Sequence, residues 1–410
     1  MFKRKMSVPF SIEEMRIPEF LERISADLDR CVDFWLKHSH DEEFGGFFAC
    51  LGKDGKIYDD LKYGWLQGRQ VWTYAKLYNE VERFHRPELL RAAVKGADFM
   101  IKHIKEQTTG RCYFVTTRDG KPIKQQRTIF TECFYVMGML EVAKATKQEK
   151  YKQEALSVMT KIIHWVRVDD SEIGITKLAG VKPTNSLAVP MILLGLIHEL
   201  TSGDESLNTA YEELEKWCVQ QVLFHVQREG SVILENVSPE GTEMPGSQGR
   251  LMNPGHAIEC GWFLLQYAIK KEDRKLQETA IEKFIINPFN TGWDMEHEGL
   301  FYFLDVDGLS PTQLEWNMKL WWPHNEAMIA FLMAYDQTQD QAYLEKFAQV
   351  YDYSMKHFSD VEKGEWYGYL NQEGQVNMDF KGGPFKGCFH VPRCLMMCEQ
   401  MLTKIRATLT

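Results

Sequence analysis

Apolar residues recur every three or four positions over most of the chain, which is the spacing of amphipathic helices. Residues 65–84 and 88–104 show it most clearly. The connections alternate in length: those after odd-numbered helices are long, and those after even-numbered helices are short, as antiparallel neighbours require. The pattern predicts six helical hairpins, built from helices at about 11–38, 65–86, 88–106, 127–146, 149–168, 184–202, 206–227, 253–271, 273–286, 317–337, 340–358 and 384–405.

Each long connection contains a short segment with a different pattern. Polar residues and a glycine are followed by aromatic and β-branched residues and usually by a D-G or E-G turn, which is typical of a small β-hairpin. The third segment fits this description least well. Successive marker glycines are separated by 64, 64, 56, 69 and 65 residues, which indicates six copies of one unit. They are Gly46, Gly110, Gly174, Gly230, Gly299 and Gly364.

Six helical hairpins could form an open solenoid or a closed ring. A solenoid needs polar capping repeats, and neither end of this sequence provides one. We therefore predict an all-α fold, an (α/α)6 barrel with even helices inside, odd helices outside and short β-hairpin loops at one end. No linker rich in Pro, Gly or Ser divides the chain, so we predict one domain over residues 1–410, with about the first ten residues as a loose tail.

Composition narrows the class of protein. The 44% hydrophobic and 26% charged fractions are those of an ordinary globular chain. A net charge of -10 argues against nucleic acid and anionic membranes as partners. The longest apolar run, about 187–197, is too short to cross a bilayer, and the N-terminus has no signal-peptide core. Nine cysteines without zinc-ligand spacing predict reduced, mostly buried thiols in a cytoplasmic protein.

Unusual polar residues collect near the starts of even helices. Those ends all follow long loops, so they should face the same end of the barrel. Most other helical histidines are expected to be structural. The converging residues are Arg69, Arg127, Glu132, His256, Glu259, His324, Glu326, His390 and Arg393.

The residue types alone leave two chemistries open. Two imidazoles with an arginine suit proton transfer at a carbon beside a carbonyl, because histidine titrates near neutral pH. Glu259, one turn after His256, is then expected to orient that imidazole. Glu259 and Glu326 could instead be the carboxylate pair of an inverting glycosidase. Arg69 could also form a buried structural ion pair. Phosphate-loop, dinucleotide and nucleophile-elbow motifs are absent, and a zinc site is unsupported by spacing.

Long stretches of the chain resemble the N-acylglucosamine 2-epimerase family, and its animal branch most closely. They include NPGHAIECGWFLL and KGGPFKGCFHVPRCLMMCE, which are long and specific. The resemblance runs from Leu21 to Met401, and loops 171–185 and 239–250 match less well. The matching stretches are residues 34–72, 126–135, 222–238, 253–265, 311–333 and 381–399.

The resemblance implies an (α/α)6 barrel and the reversible conversion of N-acetylglucosamine to N-acetylmannosamine, the precursor of sialic acids. One histidine would remove the C2 proton of the open-chain sugar and the other would return a proton to the opposite face. The family's acid/base histidines fall on His256 and His390. The other family pocket residues fall on Arg69, Arg393, Glu259 and Glu326, and we add Trp322 and His324 as expected sugar contacts.

The resemblance also carries expectations about cofactors and partners. No redox cofactor or metal is needed for this chemistry. Animal relatives are activated by ATP without consuming it and form homodimers, and the mammalian protein binds and inhibits renin. A glycoside hydrolase on the same barrel, and a non-catalytic renin-binding protein, remain the rival functions.

Overall fold

The computed structural model describes residues 11–409, so the predicted N-terminal tail lies outside the described residues. The third helix, Pro87–Phe99, continues as a π-helical turn over Met100–Ile104. Helix α9 is α-helical over Arg274–Thr279, π-helical over Ala280–Ile286 and α-helical again over Asn287–Gly292. The helices are α1 (Ile12–His38), α2 (Gly64–Glu80), α3 (Pro87–Phe99), α4 (Phe130–Thr146), α5 (Glu149–Arg167), α6 (Ala188–Thr201), α7 (Glu205–Leu223), α8 (Pro254–Lys270), α9 (274–292), α10 (Trp321–Thr338), α11 (Gln341–His357) and α12 (His390–Leu409).

The even helices form a closed inner ring, in which each packs on the next and α12 returns to α2. The odd helices form the outer layer, and each packs on the inner helix that precedes it, with α1 on α12. Composition explains the division. Helix α10 is buried continuously from Trp321 to Tyr335, whereas α1 buries only one stripe of its surface. The predicted (α/α)6 barrel is confirmed.

Short antiparallel strands form the rim at the end where the inner helices begin. Several pairs are hairpins within one segment, as predicted, but others join one unit to the next. Residues Lys319 and Leu320, for example, pair with Leu370 and Tyr369 of the following loop. The strands are β1 (Cys50–Leu51), β2 (Ile57–Asp59), β3 (Lys62–Tyr63), β4 (Val115–Thr116), β5 (Pro122–Lys124), β6 (Asn185–Ser186), β7 (Val226–Gln227), β8 (Val232–Ile233), β9 (Asn236–Val237), β10 (Leu251–Met252), β11 (Leu304–Asp305), β12 (Lys319–Leu320), β13 (Tyr369–Leu370) and β14 (Val376–Met378).

Some helices begin later than predicted. Helices α4, α6, α10 and α12 begin at residues 130, 188, 321 and 390, a few positions later than predicted. The residues just before α10 form strand β12 instead of helix, because their backbone groups hydrogen-bond to the next loop.

The six marker glycines share one conformation, with φ between +70° and +89°. That left-handed region favours glycine, which explains the recurrence of this residue type. Three units also share a buried or half-buried aspartate that accepts a hydrogen bond from a buried lysine ammonium of the rim. The pairs are Asp41–Lys62, Asp294–Lys319 and Asp360–Lys381, each at 2.8 Å.

All nine cysteines are buried and free of disulfides. Within residues 11–409, no helix combines the length and the apolar character needed to cross a bilayer. The assignment of one domain to residues 1–410 stays a prediction.

Candidate functional site

A cavity of about 710 Å³ lies inside the inner ring, and side chains from all six inner helices line it. Six of the predicted site residues line this cavity together, and Glu326 lies directly behind them in contact with His390. The six are Arg69, His256, Glu259, Trp322, His390 and Arg393.

His256 occupies the first turn of α8. Pro254 opens that helix, and the Asn253 side chain caps it by accepting the His256 backbone N–H at 3.0 Å. A Cβ at Gly255 would lie 2.7 Å from the Trp322 ring, so only glycine allows the tryptophan to approach this closely. The centroids of the His256 and Trp322 rings are 5.1 Å apart.

The partner of His256 differs from the one predicted. Its Nδ1 donates to Glu235, 3.0 Å from Oε1 and 3.2 Å from Oε2. Burial alone would lower the pKa of His256, but the charge and hydrogen bond of Glu235 outweigh burial, and the pKa lies above its usual value. The prediction that Glu259 orients this imidazole is wrong, because its carboxylate accepts from Arg393 Nη2 at 2.9 Å.

His390 is the first residue of α12, and its Nδ1 donates to Glu326 Oε1 at 2.8 Å. Glu326 is fully buried and accepts two further hydrogen bonds, from Arg393 Nη2 at 2.5 Å and Trp262 Nε1 at 2.9 Å. Burial, and then the charges of Arg69 and Arg393, hold the pKa of His390 well below its usual value. His390 is therefore neutral near pH 7, and its Nε2 carries a lone pair.

The guanidinium of Arg69 stands over aromatic rings, with its Cζ 4.2 Å from the Phe134 centroid and 4.6 Å from the Trp65 centroid. Its Nε is buried and has no hydrogen-bond partner among the described residues. Burial lowers the pKa of Arg69 to about 9, so the group is still charged at neutral pH. A buried structural ion pair is not found for it within residues 11–409, and its donors are left for a ligand in the cavity.

Glu259 and Glu326 share one cationic partner, Arg393. Ligand atoms of Glu259, Glu326 and His390 lie within 4.8 Å of one another, a spacing that could hold a metal ion. Arg393 Nη2 already donates to both carboxylates and supplies the positive charge there. An inverting glycosidase needs one carboxylic acid that gives its proton to the leaving group, whereas both carboxylates here accept from the same Arg393 guanidinium. The geometry therefore favours histidine over carboxylate chemistry.

His324 does not contribute to the cavity, and the prediction that it contacts the sugar is wrong. Its Nε2 accepts the Leu300 backbone N–H at 2.9 Å, and its Nδ1 donates to the Leu320 carbonyl at 2.6 Å. Burial lowers its pKa to about 3, so the ring stays neutral. It joins a rim loop to the start of α10.

The polar residues near the start of α4 also lie outside the cavity. Glu132 accepts from Arg111 Nε at 2.7 Å and from the Cys112 backbone N–H at 2.9 Å. Arg127 donates to Thr176 Oγ1 at 2.7 Å. Their positions along the chain match those of the site residues, but their side chains hydrogen-bond to residues of the rim loops.

Comparison with known proteins gives one family description by sequence and the same fold by structure. A family model described as N-acylglucosamine 2-epimerase (GlcNAc 2-epimerase) matches residues 46–394. The N-acylglucosamine 2-epimerase of Mus musculus is 58% identical over 93% of this chain and 91% of its own. That of Homo sapiens is 53% identical over 95% and 92%. The solved structure of cellobiose 2-epimerase from Spirochaeta thermophila shares the fold, with a TM-score of 0.79, 18% identity and coverage of 97% and 100%.

Proposed function

Because this chain belongs to the N-acylglucosamine 2-epimerase family and is a sugar epimerase, we propose that it interconverts N-acetylglucosamine and N-acetylmannosamine. The proposed reaction is cofactor-independent and moves a proton at C2 of the open-chain sugar. Relatives that are 53% and 58% identical to this chain carry the family name, which supports an N-acylated amino sugar as substrate.

One observation carries the mechanism: two imidazoles line the same cavity, and a carboxylate fixes Nδ1 of each. Among the described residues, neither Nε2 has a hydrogen-bond partner. Both rings lie next to Trp322, at centroid distances of 5.1 Å for His256 and 5.9 Å for His390. A sugar carbon held against this indole can exchange protons with both.

The chemistry follows from the acidity of C2. In the open-chain aldehyde, the C1 carbonyl acidifies the C2–H bond, so one imidazole Nε2 can take that proton. The electron pair of the broken bond moves into an enolate whose charge rests on O1, where the Arg69 guanidinium stabilises it. The other histidine then donates its proton to the opposite face of C2, and a new C–H bond forms. The two rings regain their original protonation by exchange with water.

The remaining site residues would bind the sugar or hold the catalytic histidines in position. Trp322 offers an apolar ring face to the sugar. Arg393, Glu259 and Glu326 form the charged wall that holds His390 in place.

We also propose a location, an oligomeric state, an activator and a partner for the enzyme. The likeness to animal relatives supports a cytoplasmic homodimer that feeds or drains sialic acid metabolism, with ATP or another nucleotide as an activator that is not consumed and renin as a further partner. The net charge of -10 supports leaving out nucleic acid and anionic membranes.

The test is direct turnover. The purified protein is incubated with each of the two sugars, with and without ATP, and the sugars are separated and quantified. Conversion in both directions is expected, and His256→Asn or His390→Asn should lower kcat/KM by at least about 10². No conversion in either direction, or release of a reducing sugar from a glycoside instead, would contradict the proposal.

A further inference from the structure

The two imidazoles of the cavity have carboxylate partners of different kinds. Glu326, the partner of His390, also accepts from the Arg393 guanidinium, so its charge is shared. Glu235, the partner of His256, is only 7% exposed, and His256 is the one side chain among the described residues that hydrogen-bonds to its carboxylate. An unshared carboxylate stabilises an adjacent imidazolium more strongly than a shared one.

Glu235 is fixed by its backbone. It lies between strands β8 and β9, its N–H donates to the Leu251 carbonyl at 2.9 Å, and its carbonyl accepts from the Leu187 N–H at 2.9 Å. Residue 251 belongs to strand β10, which leads directly into α8 and His256. The carboxylate and the imidazole are therefore held by connected parts of the rim, which is how a positioning residue keeps its geometry.

The other titratable groups around this pair do not neutralise Glu235. Burial lowers the pKa of His225, raises that of Tyr302 to about 12 and raises that of Cys260 well above its usual value, so all three are neutral near pH 7. Around His256, the carboxylates of Glu259 and Glu326 add to the negative charge. His390 faces the pair as a neutral ring.

We propose that Glu235 is a positioning residue that holds His256 as the Nδ1–H imidazolium, so that His256 is the proton donor and His390 the proton acceptor in the resting enzyme. The role assumes the proton transfer at C2 proposed above. In that arrangement His390 Nε2 takes the C2 proton, and His256 Nε2 delivers its own proton to the opposite face. Glu235 itself never touches the sugar and acts only through His256.

The first test measures the pKa of His256 without any substrate. Protein labelled at histidine ¹³Cε1 is titrated by NMR, and the signal that disappears in His256→Asn identifies the residue. Wild type should show a His256 pKa above 6.5 and above that of His390. Glu235→Gln keeps an oxygen that can accept from Nδ1 but removes the charge, so the pKa should fall by about 1 to 3 units.

The matched control is Glu240→Gln, which removes the same charge from an exposed position of the same loop region. The pKa of His256 should be unchanged in this variant. An unchanged pKa in Glu235→Gln, or a wild-type pKa of His256 at or below that of His390, would overturn the role of Glu235. Because this titration needs no turnover, its result is independent of whether the sugar conversion is found.

The second test is the pH profile of kcat/KM, which a merely structural role would not move. The alkaline limb should shift to lower pH in Glu235→Gln by the same number of units as the NMR pKa. Glu235→Asp, which restores the charge, should return the limb toward wild type. A Glu235→Gln profile that superimposes on wild type, in an enzyme that does convert the sugars, would show that Glu235 does not set the charge of His256.

Discussion

Replacing Glu326 with glutamine would remove a charge that two groups of the site share. Glu326 Oε1 accepts from His390 and Arg393, and Oε2 accepts from Trp262. Both oxygens of this carboxylate thus accept from N–H donors. Whichever oxygen the amide NH₂ replaces, it faces at least one of those donors, so glutamine cannot satisfy the site in either orientation.

The magnitude follows from burial. Removing one partner of a buried ion pair costs about 3 to 5 kcal/mol, because the other charge is left buried. Arg393 keeps Glu259 at 2.9 Å, which places the expected loss near the lower end, about 3 kcal/mol. An unfolding entropy of about 2.1 cal/mol/K per residue for a chain of this size converts that loss to a fall in Tm of about 3 to 4 °C.

The assay is thermal unfolding of wild type and Glu326→Gln, followed by circular dichroism at one scan rate. Glu240→Gln, on the exposed surface, is the control and should stay within about 0.5 kcal/mol of wild type. A Tm of Glu326→Gln within about 1 °C of wild type would refute the view that this carboxylate is a buried, shared counter-charge.

Three further outcomes follow from the same geometry. Arg69→Met should lower kcat/KM by about 10² or more, because the enolate oxygen loses its donor, and steady-state kinetics will contradict this role if turnover is retained. Gly255→Ala places a methyl group 2.7 Å from the Trp322 ring and should cost about 1 to 3 kcal/mol of stability, measurable by denaturant unfolding; an unchanged midpoint would contradict the close packing. The pH profile of kcat/KM should rise through the lowered pKa of His390 and fall through the raised pKa of His256, giving a plateau that includes pH 6.5. A profile still rising steeply between pH 6.5 and 8 would contradict the assignment.

The barrel was predictable because its determinants are local and repeated. Helical periodicity located the helices, and the marker glycines fell at one left-handed turn per unit, from Gly46 to Gly364. The start of α10 was placed too early, because helical periodicity does not reveal that Lys319 and Leu320 pair as a strand with a neighbouring unit. Those rim pairs join residues distant in sequence, such as Leu320 and Tyr369, which a local pattern does not reveal.

The site was predictable where its residues lie on inner helices that follow long loops, as His256, His390 and Arg69 do. The position of a residue along the chain does not reveal which way its side chain points. His324 was therefore grouped with the site, although backbone groups hydrogen-bond to both of its ring nitrogens. Glu235 was missed because it lies in a rim segment with other acidic residues, and nothing in its local sequence distinguishes it. The folded rim brings it to His256, because its backbone N–H donates to Leu251, just before the helix that carries His256.

Solvent isotope incorporation tests the central claim most directly, because proton exchange at C2 leaves a label that other routes do not. N-acetylmannosamine and N-acetylglucosamine are each incubated with the protein in deuterated water, and the product is analysed by NMR and mass spectrometry. The expected product carries one deuterium at C2. Epimerised product without deuterium at C2 would contradict removal and return of this proton by His256 and His390, and would favour transient oxidation at another carbon.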